Sequence, residues 1–212
     1  MQTTTATKMT AQEFCDFAHR EENENAWLEL DCGEVIALDP PTRLMSFLTA
    51  TFSALISKHT EDIGTCYAVC GDVGVILRRN PDTVRGADVA VFDDFASLTD
   101  KSLHYDDVAP LLAVELLSPT ERPMRIGRKI ADYLAAGTKI VWLIDPEART
   151  AIVYRPDRIP QVIEADGILD GEDVLPGFRR KLAYFFLMPH ERRTSPLADI
   201  PPPIAINDPH RP

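Results

Sequence analysis

Residues 111–146 read LLAVELLSPTERPMRIGRKIADYLAAGTKIVWLIDP and divide into strand, helix and strand. The opening run of residues 111–117 is almost wholly apolar and too short for a full helix, which suits a strand buried on both faces. Glu115 stands in the middle of it. A carboxylate in such a place is expensive unless a basic partner or a bound cation compensates it, and the sequence leaves room for both. After a turn at Ser118, Pro119 and Thr120, the cations Arg122, Arg125, Arg128 and Lys129 crowd the first turns of a helix. This opposes the helix dipole, whose positive end favours acids, so the cluster has a task worth more than a few tenths of a kcal/mol; phosphate binding fits. Ile126, Ile130, Tyr133 and Leu134 recur at helical spacing as the packed face, and Gly137 is a C-terminal cap. Residues 139–144 form a second buried strand, so the unit is expected to be strand, crossover helix, parallel strand.

The chain has 212 residues and is 45% hydrophobic, enough for one well-filled core. No stretch approaches eighteen consecutive apolar residues, and MQTTTATKMT lacks the regions of a signal peptide, so a cytoplasmic protein with no membrane association is expected. Cys15, Cys32, Cys66 and Cys70 lack zinc-ribbon spacing and read as free thiols. A formal charge of −11 argues against nonspecific coating of nucleic acid and leaves a local basic cleft open.

Outward toward the N-terminus, Thr10-Ala-Gln-Glu13 has the form of a capping box and opens a short helix with Phe14, Phe17 and Ala18 on its apolar stripe. Residues 27–30 and 34–38 flank Asp31-Cys-Gly33 as a β-hairpin with Glu29 on its first strand. Thr42 caps a long helix that turns Leu44, Phe47, Leu48, Phe52, Leu55 and Ile56 toward the core. From residue 65 the pattern predicts short strands, CYAV, VGVIL and DVAVF, separated by Gly, Asn-Pro and Arg-Gly breakers, with Asp88 at the start of the last. If that strand pairs with the one at residue 111, Asp88 and Glu115 share a cleft in which like charges call for a bridging cation. Beyond Pro146, residues 150–154 and 161–164 form a hairpin, and residues 173–186 close the domain, taken as residues 1–186. Seven of the seventeen prolines fall in residues 187–212, expected to be an extended tail.

These segments resemble the Uma2 family, bacterial proteins grouped as putative restriction endonucleases within the PD-(D/E)XK nuclease superfamily. The resemblance spans roughly residues 9–186. It rests on Glu29-Leu-Asp-Cys-Gly33-Glu34, Pro40-Pro41, Ala87-Asp88-Val-Ala-Val, Val114-Glu115-Leu-Leu-Ser118-Pro119, Lys129 with Tyr133, and Gly137-Thr-Lys-Ile-Val-Trp142-Leu-Ile-Asp145-Pro146. It implies an α/β fold, a central mixed sheet flanked by helices with an N-terminal helix and hairpin. It also implies a metal site of Asp88, Glu115 and the Leu116 carbonyl, with Glu29 as a further acid. The superfamily's lysine lies two residues after the acid, where this chain has Leu117; in this family it appears on the next helix, as Lys129.

The sequence departs from that pattern at Ala87, where proline is usual, and at Met45, where the family often carries a histidine; His59 is several turns away on the same helix. A thioether neither shuttles protons nor ligates a hard cation. The expected chemistry is cleavage of DNA with Mg²⁺ or Mn²⁺ held by Asp88 and Glu115, Lys129 orienting water or stabilising the phosphorane, and Arg122, Arg125 and Arg128 contacting phosphate. A homodimer is the expected assembly. Two other readings remain: Glu115 and Lys129 as no more than a buried ion pair, and an inactive relative serving as a dimeric interaction module.

Overall fold

The Thr10 hydroxyl accepts a hydrogen bond from the Glu13 amide and the Glu13 carboxylate accepts one from the Thr10 amide, so the capping box starts helix α1 (Ala11–Ala18), which buries Ala11, Phe14 and Cys15. The computed structural model describes residues 8–99, 102, 104–120, 122–192 and 195. The hairpin β1 (Leu28–Asp31) and β2 (Glu34–Ala37) turns at Cys32 and Gly33, with φ of 52° and 79°. A two-residue turn of this hand needs both positions left-handed. Thr42 caps helix α2 (Arg43–Ile63), which ends at Gly64.

The strands expected after residue 65 are fewer and longer than the sequence suggested: β3 (Tyr67–Arg78) and β4 (Thr83–Phe92). Gly71 and Arg85-Gly86, read as breaks, lie inside them; the ladder absorbs the first as a bulge between Cys70 and Val73. Asp88 is therefore mid-strand and not at a strand start. The crossover unit is as expected: β5 (Leu112–Leu116), α3 (Pro123–Ala136) capped by Gly137, and β6 (Ile140–Asp145), with β5 and β6 parallel. The chain continues through β7 (Thr150–Tyr154) and β8 (Gln161–Ile163). A two-stranded sheet of β9 (Ile168–Asp170) and β10 (Arg179–Lys181), absent from the sequence reading, precedes α4 (Leu182–Phe185) and α5 (Pro189–Arg192).

The main sheet is mixed and runs β2-β1-β4-β5-β6-β7-β8, with β3 also paired to β4. One edge of β4 carries β3 along nearly its whole length, while its other edge is divided: β1 pairs at Val84, and β5 pairs from Val89 to Val91. Between them the sheet forks. Helix α2 covers one face, packing Leu48, Phe52 and Ile56 with Val89, Val114, Trp142 and Phe185; α3 covers the other, packing Ile130 and Tyr133 with Ala90, Ala113 and Val141. Alternation along β5 sends Leu112, Val114 and Leu116 toward α2, and Ala113 and Glu115 toward α3.

Among the described residues no helix is long and apolar enough to cross a membrane, and no disulfide joins the cysteines. Most of the proline-rich stretch lies outside the described residues. Within it, Arg192 on α5 donates to the Thr51 hydroxyl (2.9 Å) and lies over the Phe47 and Tyr184 rings. The α2 face depends on Phe52, fully buried and stacked on Phe185 at 4.1 Å between centroids. Phe52→Ala is expected to lower unfolding stability by about 3–5 kcal/mol, read from urea denaturation midpoints.

Candidate functional site

The fork leaves the main-chain groups of Gly86 without strand partners on that side, and two side chains take them. The Gly86 amide donates to Glu29 Oε1 (3.4 Å), and its carbonyl accepts from Lys129 Nζ (2.8 Å). Lys129 reaches down from α3 and also meets Glu29 Oε1 at 2.9 Å and Glu115 Oε2 at 2.8 Å. An ammonium has three protons, and here all three are engaged.

Glu29 is 3% exposed and held from its other side by Arg85 (3.1 Å). Arg85 is fully buried on β4 and also contacts Asp132 of α3 at 2.8 Å and Asp31 at 3.2 Å, while Arg128 closes on Asp31 at 3.0 Å. Glu29 is thus a link between two cations. Neither Arg85 nor Asp132 was singled out from the sequence. The signal was present: Arg85 interrupts the apolar run TVRGADVAVF as Glu115 interrupts LLAVELL, and Asp132 follows Lys129 at a spacing that shares a helix face.

Asp88 and Glu115 do meet. The antiparallel register Val89↔Val114 continues to bring Asp88 across from Glu115. Asp88 Oδ2 accepts from the Leu116 amide (2.8 Å) and Oδ1 from the Thr49 hydroxyl (3.4 Å). Glu115 Oε1 is buried with no well-formed hydrogen bond, and the buried Tyr133 hydroxyl interacts with this carboxyl. Both acids, with Lys129, Leu116 and Glu29, line a cleft of about 90 Å³ whose walls include Met45, Trp27 and Arg125. Asp72, from the β3 bulge, lines it too and was not anticipated. Thr120 donates to Asp39 (2.8 Å) at the rim. Arg122 and Arg128 lie in an adjoining groove that shares Asp39, Thr120 and Arg125 with the cleft. His59 faces elsewhere, its Nε2 3.0 Å from the Pro176 carbonyl.

Charge is not evenly tolerated across this set. Burial works against the Glu29 charge, yet Lys129 and Arg85 outweigh it and hold the carboxyl below its ordinary range. Burial, with the charges of Asp88 and Glu29, pushes Glu115 up to about 8 despite Lys129. Asp88 is raised chiefly by burial, and Asp72 is raised to about 6 by burial and then by Asp88. Lys129 is raised because Glu115 and Glu29 overcome its desolvation. One lysine among several acids leaves negative charge in excess, so Glu115 holds its proton to higher pH than an ordinary glutamate. Among the described residues, no three His, Cys, Asp or Glu are gathered as the ligand set of one metal ion.

The model of a family described as "Putative restriction endonuclease" (Uma2) matches residues 11–183. Among solved structures, that of a putative nuclease belonging to DUF820 from Anabaena variabilis ATCC 29413 aligns with a TM-score of 0.70 at 21% identity, covering 84% of this chain and 97% of that one. At that identity the likeness establishes a shared fold. No curated protein matches the chain.

The raised acids make stability depend on pH. With its folded value near 8 against an unfolded value near 4.3, Glu115 binds a proton in the native state across that window that the unfolded chain does not. Stability in EDTA is therefore expected to fall as pH rises from 5.5 to 8.5, with Asp72 adding to the slope at the lower end. Glu29, lowered on folding, acts only below this window. Thermal melts should show the decline in the wild type and a flatter profile in Glu115→Gln; equal slopes would place the proton elsewhere.

Proposed function

The chain belongs to the family of putative restriction endonucleases, and on that premise we propose that it is a divalent-metal-dependent nuclease that hydrolyses DNA phosphodiester bonds in the cleft between Asp88, Glu115 and Lys129. One observation carries the reading: two carboxylates stand across adjacent strands and line one cleft, and Lys129 meets Glu115 on Oε2 alone, leaving Oε1 with no cation on it. A buried carboxylate oxygen so placed costs free energy that a cation would offset.

The donor set fits a hard cation. Mg²⁺ and Mn²⁺ take oxygen ligands, and Mg²⁺ is usually held by one or two carboxylates with water and substrate phosphate completing its shell. Asp88 and Glu115, joined by the Leu116 carbonyl, would hold it. Bound there, it would supply Lewis-acid polarisation of the phosphate and a water of lowered pKa. With Glu115 engaged as a ligand, Lys129 would have one N–H to offer the scissile phosphate, held in position by Glu29 and the Gly86 carbonyl. Glu29 therefore acts through Lys129, and Arg85 acts through Glu29. Arg125 in the cleft wall, with Arg122 and Arg128 in the adjoining groove, offers guanidinium groups along the path that a phosphate backbone would take.

Met45 favours a second reading. It lines the cleft where the family pattern has histidine, so no imidazole is available there to move a proton. A cation-binding but inactive interaction module would have this character. A homodimer is the assembly proposed for either reading, since two symmetric sites suit the two strands of a duplex.

Plasmid nicking with Mn²⁺ or Mg²⁺ tests the proposal. Asp88→Ala and Glu115→Ala are each expected to abolish cleavage, and Lys129→Ala to slow it by about 10² to 10³. Retained cleavage in both acid variants would locate the activity elsewhere. Thermal unfolding distinguishes the readings without a substrate: at about 100 times its dissociation constant the cation should add roughly 2.7 kcal/mol, a rise in Tm of roughly 5 to 10 °C. A wild type that is stabilised but never cuts is the binding module; one indifferent to both ions is neither.

A further inference from the structure

The bulge in β3 has no role in the chemistry above, yet its geometry is costly. Pairing with β4 steps from Cys70↔Val89 directly to Val73↔Ala87, so Gly71 and Asp72 together oppose the single residue Asp88. Both take left-handed backbone, with φ of 99° and 55°. Glycine does so freely, whereas an aspartate there is uncommon and mildly strained. The bulge also presses the Asp72 main chain against Gly86. A Cβ on Gly86 would stand 2.6 Å from the Asp72 carbonyl oxygen and 2.7 Å from its carbonyl carbon, so this position on β4 requires glycine. Two glycines and one strained residue thus combine to present a single side chain. Bulges beside functional sites characteristically re-aim a side chain in this way.

The Asp72 carboxylate is aimed into the cleft beside Asp88 and Glu115. Deeper acids are matched by cations: Glu29, Asp31 and Asp132 contact Arg85, Arg128 and Lys129. The Asp72 side chain makes no hydrogen bond or ion pair with any described residue. The like charges of Asp88 and Glu29 repel it and Lys129 attracts it, with Asp88 the largest of the three. A group held in strained backbone against the charge of Asp88, in a cleft where Glu115 Oε1 has no cation on it, calls for a positively charged ligand. No three acids among the described residues form one direct ligand set, which leaves Asp72 outside the ion's direct ligands.

We propose that Asp72 is a third cation-facing carboxylate of this cleft, a positioning residue that accepts hydrogen bonds from the water shell of the divalent cation that Asp88 and Glu115 would hold. The inference rests on the nuclease reading of the cleft. It extends that reading to the residue that orients the cation's water, a task that hydrogen-bonded groups around a metal's own ligands commonly perform.

The experiment is calorimetric titration of Mn²⁺ and Mg²⁺ alone into the full chain, wild type against Asp72→Asn and Asp72→Gly, with thermal melts of each in EDTA. Both substitutions tolerate left-handed backbone and remove a repelled charge, so both should melt at or above the wild type without metal. Both should bind the ions about 10- to 100-fold more weakly. Gain of stability with loss of affinity is a combination that a purely structural aspartate would not produce. Wild-type affinity in either variant overturns the inference, as does a variant melting well below the wild type, which would make Asp72 a structural prop. A wild type that binds neither ion overturns the cation-site reading itself, and this inference with it.

Discussion

The ammonium of Lys129 is the charge on which the site depends. It lies 12% exposed between a helix and a sheet and survives there because Glu29, Glu115 and the Gly86 carbonyl each accept a hydrogen bond from it. Remove any of the three and a buried donor is left unsatisfied, at a penalty of about 1–3 kcal/mol or more for a charged group. The lysine in turn sets the rotation of α3 about its axis, since Ile130 and Tyr133 must pack on the sheet while residue 129 points into the fork.

The fork makes such a site possible. A continuous sheet satisfies its own backbone groups and offers no place for side chains to do so. Here β4 exchanges one neighbour, β1, for another, β5, and Gly86 falls in the interval. Glu29 and Lys129 occupy that gap as surrogate strand partners. The same interval receives Asp88 from β4 and Glu115 from β5, so the break that requires polar compensation is also what gathers the acids. Burial of Arg85 follows the same logic: it carries the charge balance from Glu29 down to Asp31 and Asp132, and leaves Asp72 and Asp88 with no cation in contact among the described residues. Buried ion networks of this kind contribute little net stability, because desolvation opposes their Coulomb attraction. Their effect is to fix which acids are neutralised and which are not.

Much of this was legible in the chain. Thr10 with Glu13, Thr42 and Gly137 marked helix ends by local hydrogen bonding and by backbone preference, which act within a few residues and need no tertiary partner. Glu115 was conspicuous because a charge in an unbroken apolar run must be compensated, and Lys129 because it joined a cationic cluster at the wrong end of a helix dipole. Asp88 stood at a strand start by local pattern, and was singled out by the expected pairing of that strand with the one at residue 111 and then by resemblance. Asp72 was missed because Gly71 before it reads as a break, and a bulge differs from a break only in whether the partner strand continues opposite it.

The sequence by itself determined the local elements, the parallel crossover from residue 111 to residue 146, and the presence of charges that no apolar core would accept alone. These follow from periodicity and capping, which are set by neighbours along the chain. Only the tertiary structure decided which charge meets which. The fork in β4, the joining of two short apolar runs into one bulged β3, and the pairing of Arg85 with Asp132 across 47 residues are outcomes of strand partnership. Partnership depends on registers between distant segments, and the same alternating pattern is compatible with several of them until the whole sheet is assembled.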